Sequence, residues 1–326
     1  MRAVVITKHG DPSVLNVVEV DKPKPSSTEI LVKVKATSLN RADLMQRMGF
    51  YPDPFPGAYE IPGLEFSGTV EACGADVKTW QPGDEVMGIV SGGAYAEYLV
   101  VPEMQAMSVP KNVALENAAA IPEVFITAWD ALVCQANLQP GGWALVHAGA
   151  SGVGTAAIQI CKAIGAKIIV TCSAKKRDAC LALGADLAID YKTDDFVALC
   201  MRATNNAGVN AVLDVIGGEY LNRNVAALAL KGTIVQVGLM GGGATSFNLG
   251  AMMPKRARLI TTVLRPRPLE EKVAVTQRFI SEMLPFFEIG KMRPVIDCRY
   301  DLAQIAEAHL YMESNANTGK IVIDVC

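Results

Sequence analysis

Paired cysteines, clustered histidines and long apolar runs are all missing from this chain of 326 residues. The eight cysteines fall at positions 73, 134, 161, 172, 180, 200, 298 and 326, and none forms a C-x-x-C pair. The three histidines (His9, His147 and His309) are far apart. No zinc-ligand spacing exists, so no metal site is expected. Cys161 and Cys172 lie inside apolar runs, which reads as reduced, buried thiols in a cytoplasmic protein. No apolar stretch reaches the roughly 18 residues needed to span a bilayer. The segment Met1–Lys8 turns polar too soon for a secretory signal and reads as a first strand. There is no excess of basic charge either. Thirty Lys and Arg stand against 33 Asp and Glu, a net charge of −3. That balance, with no basic strip interleaved with aromatics, argues against nucleic acid and anionic lipid as partners.

Hydrophobic residues, by contrast, make up 51% of the chain, enough for a well-filled core. Their pattern changes along the sequence. Up to about residue 120, short apolar or alternating runs recur at Ala3–Ile6, Ile30–Ala36, Gly68–Cys73, Glu85–Ile89 and Ala96–Val101, punctuated by Gly and Pro. A helical spacing from Ser38 to Arg47 interrupts them, and a Pro- and Tyr-rich loop runs from Tyr51 to Pro62. Helical patterns follow over 115–120 and 125–132. Apolar strands then alternate with helices. Strands are expected at 143–148, 167–172, 187–190, 211–215, 232–237 and 259–263. Helices are expected near 154–164, 175–183, 194–203, 219–230 and 270–287. This βαβ alternation predicts a parallel sheet covered on both faces, with its ligand at the carboxyl ends of the strands. One long helix and a final strand, Lys320–Asp324, are expected to close the chain and rejoin the first domain.

The stretch from Val146 to Thr155 organises the rest. It places a glycine-rich turn between a strand and a helix, as a dinucleotide pyrophosphate requires. The fingerprint G-x-G-x-x-G appears here as Gly149-x-Ser151-x-x-Gly154, with an additional Gly152 beside Val153. The middle glycine is replaced, but the context of strand, turn, helix and second strand is intact. In an NAD-preferring site a carboxylate ends the second strand. Here that strand ends in Ser173, followed by Lys175, Lys176 and Arg177. A hydroxyl and three cations suit a 2′-phosphate, and cations are unfavourable at a helix N-terminus unless an anion is near. The cofactor expected is NADPH. Tyr191, after the third strand, either packs near the adenosine or is an aromatic at the edge of the core. Gly238, Met240 and the glycines after them follow the fifth expected strand, where backbone can approach the nicotinamide end; the alternative is a flexible loop.

These segments resemble the medium-chain dehydrogenase/reductase superfamily, in its zinc-independent quinone oxidoreductase branch. Asn40–Arg47, Ala119–Glu123, His147–Gln159, Gly238–Gly243 and Asn317–Val322 together look most like the p53-inducible quinone oxidoreductase-like subgroup, in which Ser151 is part of the pattern. The resemblance implies an α/β fold of two parts. A GroES-like β-rich domain would comprise 1–121 and 267–326, and a Rossmann doubly wound parallel-sheet domain 122–266, with the active site in the cleft between them. Zinc-dependent relatives carry Cys at the position of Asn40 and His at that of Leu64, which argues against alcohol oxidation by this chain.

By the same resemblance Asn40 and Tyr51 line the substrate site, Thr127 lies near the nicotinamide, and Asn317 belongs to the cofactor-binding set. Asn40 suits a donor to a developing oxyanion, or equally an N-cap of the helix that follows. Tyr51 suits stacking on a quinone, or is a loop-tip aromatic. Thr127 is otherwise a mid-helix residue bonded to its own backbone. The expected function is NADPH-dependent quinone reduction without a metal. The alternatives are reduction of an activated C=C bond, as in a 2-alkenal or enoyl reductase, and a non-catalytic NADPH-binding protein. The segment Leu259–Val263 is expected to form a sheet edge suited to a homodimer.

Overall fold

The computed structural model describes residues 1–325. They fold as two compact units: Met1–Ile126 together with the chain from Leu264 onward, and the continuous segment Thr127–Val263.

The continuous unit holds a six-stranded parallel sheet. Its strands run, in chain order, Trp143–Val146, Lys167–Cys172, Leu187–Asp190, Val209–Asp214, Leu228–Gln236 and Arg258–Thr261. Their spatial order is 3-2-1-4-5-6, every neighbouring pair parallel. The first four strands are buried along almost their whole length, which is why the sequence shows continuous apolar runs rather than alternation there. The order reverses between the first strand and the fourth, so the crevice for a ligand opens at the carboxyl end of Trp143–Val146.

The discontinuous unit is built on a mixed seven-stranded sheet. Its spine is Glu29–Ser38, which pairs antiparallel with Glu65–Cys73 along one side. On its other side Tyr98–Pro102 takes residues 29–33 and Lys320–Asp324 takes 36–38. Glu85–Ile89 and Ala106–Ser108 extend the sheet at one end, and Ile296–Asp301 at the other. Ile30, Val32, Val34, Phe66, Val70, Leu99, Ile321 and Ile323 pack into its core. Arg2–Ile6 pairs with Leu15–Glu19 as a separate two-stranded piece.

The structure differs from the sequence pattern in three places. The helix expected over 270–287 is two helices, Leu269–Glu282 and Leu284–Glu288. Pro285 has no N–H to continue the first and sits in the opening turn of the second. The helix expected to reach 230 stops at Ala227, and the next strand starts at Leu228. The chain after 266 also contains a strand, Ile296–Asp301, and a helix, Ile305–Glu313, that the apolar pattern did not announce. That strand is half-exposed and carries Asp297, Arg299 and Asp301, so it lacks an apolar signature.

Candidate active site

The turn after the first strand of the parallel sheet is fixed from both sides. The amide of His147 donates to the carbonyl of Leu213 at 3.1 Å, and that of Gly149 to Thr171 at 2.8 Å. The chain thus bridges the strands on either side of the reversal point. Ala148 takes a left-handed φ of 55° to make the turn. Gly149 must lack a side chain because a Cβ there would lie 2.4 Å from the Cβ of Val170; at Gly154 it would lie 2.4 Å from the carbonyl oxygen of Ala148. The helix Gly152–Ala163 begins at once, and Ser151 is its N-cap, its Oγ accepting from the Gly154 amide at 3.1 Å. In place of a second fingerprint glycine the chain therefore has a residue that ties the turn to the helix. The amides of Gly152 and Val153 open the helix without intrahelical acceptors, the arrangement that attracts an anion.

A buried polar chain lies beneath this turn. Asn224 donates from Nδ2 to Asp214 at 2.8 Å, which leaves its Oδ1 facing Nε2 of His147 at 2.7 Å. Nε2 therefore carries the proton, and Nδ1 accepts from Thr171 Oγ1 at 2.9 Å. Burial holds the imidazole below its usual pKa, so it stays neutral, edge-on to Phe196 and Tyr220. The other oxygen of Asp214 accepts the amides of Ile216 and Gly217 at 2.6 and 3.1 Å. One chain of hydrogen bonds thus runs from the second strand to the turn after the fourth. The Gly238–Gly243 segment packs on that turn, with the Met240 amide donating to Val215 at 3.1 Å and that of Gly241 to Ile216 at 2.7 Å. The Met240 side chain is exposed.

At the end of the second strand Ser173 and Lys176 are half-buried, while Lys175 and Arg177 are exposed. Tyr191 is also exposed, and its amide donates to Cys172 at 3.2 Å. Ser173, Lys176 and Tyr191 therefore sit together at the carboxyl ends of the second and third strands, on the same sheet edge as Gly149–Gly154. Thr127 is half-buried on the helix Pro122–Trp129.

The discontinuous unit holds a second cluster, around Asn40. This residue is buried, at 6% exposure. Asn40 is the N-cap of the helix Arg41–Arg47, in a capping box with Asp43, whose carboxylate accepts the Asn40 backbone N–H at 2.7 Å. Asn40 Nδ2 donates to Glu65 at 2.8 Å, and its Oδ1 accepts from Lys320 Nζ at 2.6 Å. Lys320 also donates to Leu39 O at 2.5 Å and lies 2.9 Å from Glu65. Glu65 is fully buried, yet both its oxygens are served: Ser38 Oγ donates at 2.7 Å to one and the Glu123 amide at 2.8 Å to the other. A buried ion pair needs such company to survive desolvation.

Asp43 accepts from Tyr95 OH at 3.0 Å, but its Oδ1 has no partner among the described residues. Burial pushes this carboxyl up to about 6. Tyr95 OH lies 3.5 Å from His309, which in turn neighbours Arg47. Arg47 pairs with Glu313. Tyr51 is half-buried in the loop nearby in sequence, and burial raises its phenol pKa against the opposing charge of Arg265. Asn317 bonds to Gly319 O at 2.8 Å in the turn before the last strand.

The sequence pattern singled out neither Glu65, Asp43, Lys320 nor Asp214. Only the buried carboxylate in Gly63-Leu64-Glu65 carried a signal, as a charge opening an apolar strand. Among the described residues, no group of three His, Cys, Asp or Glu is placed to hold a metal ion.

Comparison with known proteins agrees with both halves. A profile described as "Alcohol dehydrogenase GroES-like domain" matches residues 26–111, and one described as "Zinc-binding dehydrogenase" matches 183–323. The human protein named synaptic vesicle membrane protein VAT-1 homolog is 30% identical, over 99% of this chain and 86% of its own. The chain belongs to the medium-chain dehydrogenase/reductase family, in its quinone oxidoreductase branch. A structure of Escherichia coli quinone oxidoreductase complexed with NADPH covers 100% of both chains at 29% identity, with a TM-score of 0.89. A structure of the CurK enoyl reductase covers 99% of this chain and 98% of its own at 27% identity, with a TM-score of 0.87. This family member is therefore an oxidoreductase with a GroES-like part and a Rossmann part. No helix among its described residues is long and apolar enough to cross a membrane.

Proposed function

We propose that this protein reduces quinones with NADPH and without a metal ion. The observation that carries the reaction class is the Lys320 ammonium, held 2.6 Å from Asn40 Oδ1 and 2.9 Å from Glu65. Zinc-dependent relatives carry a ligand at the position of Asn40. Here the side chains of Asn40 and Glu65 are already engaged with the Lys320 ammonium and with each other, so neither is free to ligate a metal ion. A substrate for such a site has to be electrophilic before it binds, and a quinone is.

The residues fit NADPH. Gly152 and Val153 amides and the cap at Ser151 suit the pyrophosphate, and Gly149 and Gly154 keep that turn tight. Ser173 and Lys176, with Lys175 and Arg177 beside them, suit a 2′-phosphate that a carboxylate would repel. Tyr191 offers an exposed ring beside Ser173, and the Gly238–Met240 backbone and Thr127 suit the nicotinamide end, with Asn317 in the supporting turn. When bound, the cofactor supplies hydride from its nicotinamide ring. The chain's own residues bind and orient. Tyr51 stacks on the quinone ring, and Asn40, with its amide orientation set by Lys320 and Glu65, marks the polar wall of the substrate site. No side chain is assigned as proton donor; the quinolate takes its proton from solvent.

The test is oxidation of NADPH by the purified protein with a naphthoquinone and, side by side, a 2-alkenal. Turnover with the quinone is expected; turnover with the alkenal alone would replace this reading by activated C=C reduction, which the likeness to an enoyl reductase keeps as the second reading. No turnover with either would leave a non-catalytic NADPH-binding protein.

We also propose a homodimer. The strand Arg258–Thr261 pairs on one side only, with Leu228–Gln236, among the described residues. An open edge of this kind accepts the same strand of a second copy across a two-fold axis. Sedimentation at the monomer mass would refute it.

A further inference from the structure

The loop from Tyr51 to Pro62 contains no helix or strand, yet its start is tied to three other parts of its unit by one side chain. Arg265 is 5% exposed. Its Nε donates to Ser91 O at 2.6 Å, its Nη1 to Tyr51 O at 3.1 Å, and its Nη2 to Gln46 Oε1 at 2.9 Å. Nη2 also lies 3.6 Å from the carboxylate of Asp53. The guanidinium carbon stands 5.1 Å from the centre of the Tyr51 ring, within reach of a cation–π attraction. One residue thus holds the backbone and the ring of Tyr51 together.

The clamp is braced from behind. Lys272, 8% exposed, donates to Ser91 Oγ at 2.7 Å and to Arg265 O at 3.3 Å. Its ammonium lies 4.8 Å from the Phe55 ring, on the same loop. Ser91 in turn donates to Arg265 O at 3.2 Å. Gly92 leaves the space that this needs: a Cβ there would meet the Asp53 carboxylate at 2.8 Å. Asp53 itself accepts the Phe55 amide at 2.8 Å, which turns the chain directly after the clamp.

We propose that Arg265 is a positioning residue for the substrate loop, fixing where Tyr51 presents its ring. The inference rests on Tyr51 stacking on the substrate, as argued above. A guanidinium is the side chain this job requires. It serves three acceptors in different directions from one plane and keeps a flat face for the ring. The point charge of a lysine at the same place reaches one or two of those acceptors and offers no plane.

The experiment uses Arg265→Lys in the full chain, with Asp53→Asn as a second variant that loosens the same clamp from the loop side. Two readouts are taken. Hydrogen exchange over 51–62 should quicken about tenfold in both variants, with exchange in the Gly152–Ala163 helix unchanged. Steady-state kinetics of Arg265→Lys should show a quinone KM raised about tenfold, kcat changed less than about threefold and NADPH affinity unchanged; tenfold is the ratio expected for one lost charge-assisted contact. Combining Arg265→Lys with Tyr51→Ala should raise KM no further than Tyr51→Ala alone, because both act through one ring. Unchanged exchange over 51–62, or additive effects in the double variant, would overturn the proposal. If the wild type turns over no quinone while loop exchange still quickens, the fault lies in the proposed function and the clamp stands.

Discussion

The Nζ of Lys320 donates to Oδ1 of Asn40 at 2.6 Å across 280 residues of chain. The same ammonium neutralises Glu65, a carboxylate with no solvent exposure. Lys320→Met should therefore strand a buried anion, and we expect a loss of about 3–5 kcal/mol in urea unfolding. Adding Glu65→Gln should recover much of it, because an amide there needs no counter-ion. If the double variant is no more stable than the single one, the pair is not an ion pair in the folded protein.

The cradle itself can be tested by crowding it. Ser151→Val removes the acceptor of the Gly154 amide, a cap interaction that contributes about 1 kcal/mol. It also sets a branched side chain at the mouth of the turn. A lower melting temperature and at least tenfold weaker NADPH binding are expected. Gly149→Ala, which forces a Cβ to 2.4 Å from that of Val170, should cost about 1–3 kcal/mol in stability. Wild-type NADPH affinity in Ser151→Val would remove this residue from the cofactor site.

Preference for the phosphorylated cofactor should depend on Lys176. Lys176→Ala is expected to weaken NADPH at least tenfold while leaving NADH affinity within about twofold, measured by fluorescence titration. Equal losses for both cofactors would show that the residue supports the fold rather than the 2′-phosphate.

Two buried groups tilt stability with pH in opposite directions. Burial raises the Asp43 carboxyl from 3.8 to about 6. Its contribution to the folded state is complete below about pH 4 and is lost as pH rises through 6. His309 is pushed down from 6.5 to about 3, so its contribution holds above pH 6.5 and is lost as pH falls toward 3. Asp43→Asn should gain stability relative to wild type between pH 4 and 6, by about 1.4 kcal/mol per unit, and then level off. His309→Gln should lose less than wild type below pH 6.5. Parallel stability curves for wild type and Asp43→Asn would refute the first assignment.

The parallel-sheet unit was legible in the sequence because its strands are buried on both faces and separated by helices of regular length. Groupings of residues close together in the chain were legible too: the structure puts Gly149, Ser151 and Gly154 in one turn, and Ser173 and Lys176 in the next. Partners brought in from a distance were not. Nothing near Asn40 announces Lys320, and nothing near Tyr51 announces Arg265, more than 200 residues later. Leu15–Glu19 escaped notice because four of its five residues face solvent, so no apolar alternation marks it. Asn40 fits an N-cap by residue type and takes that position, in a capping box with Asp43, but its side-chain bonds to Glu65 and Lys320 have no signal near it in the sequence.

The spine strand Glu29–Ser38 has a further consequence, for biosynthesis. Glu65–Cys73 pairs along one side of it over residues 30–37 and Tyr98–Pro102 takes 29–33 of the other side, but on that second side residues 36–38 wait for Val322–Asp324. At about 5–20 residues per second, the ribosome releases that last strand roughly 15–60 s after the first has emerged. The continuous unit, complete by Val263, can fold within that interval while the other stands open at one edge. Nascent chains arrested at residue 300 should therefore resist protease over 127–263 and be cut within 1–126, which makes the final strand the timer of the whole molecule.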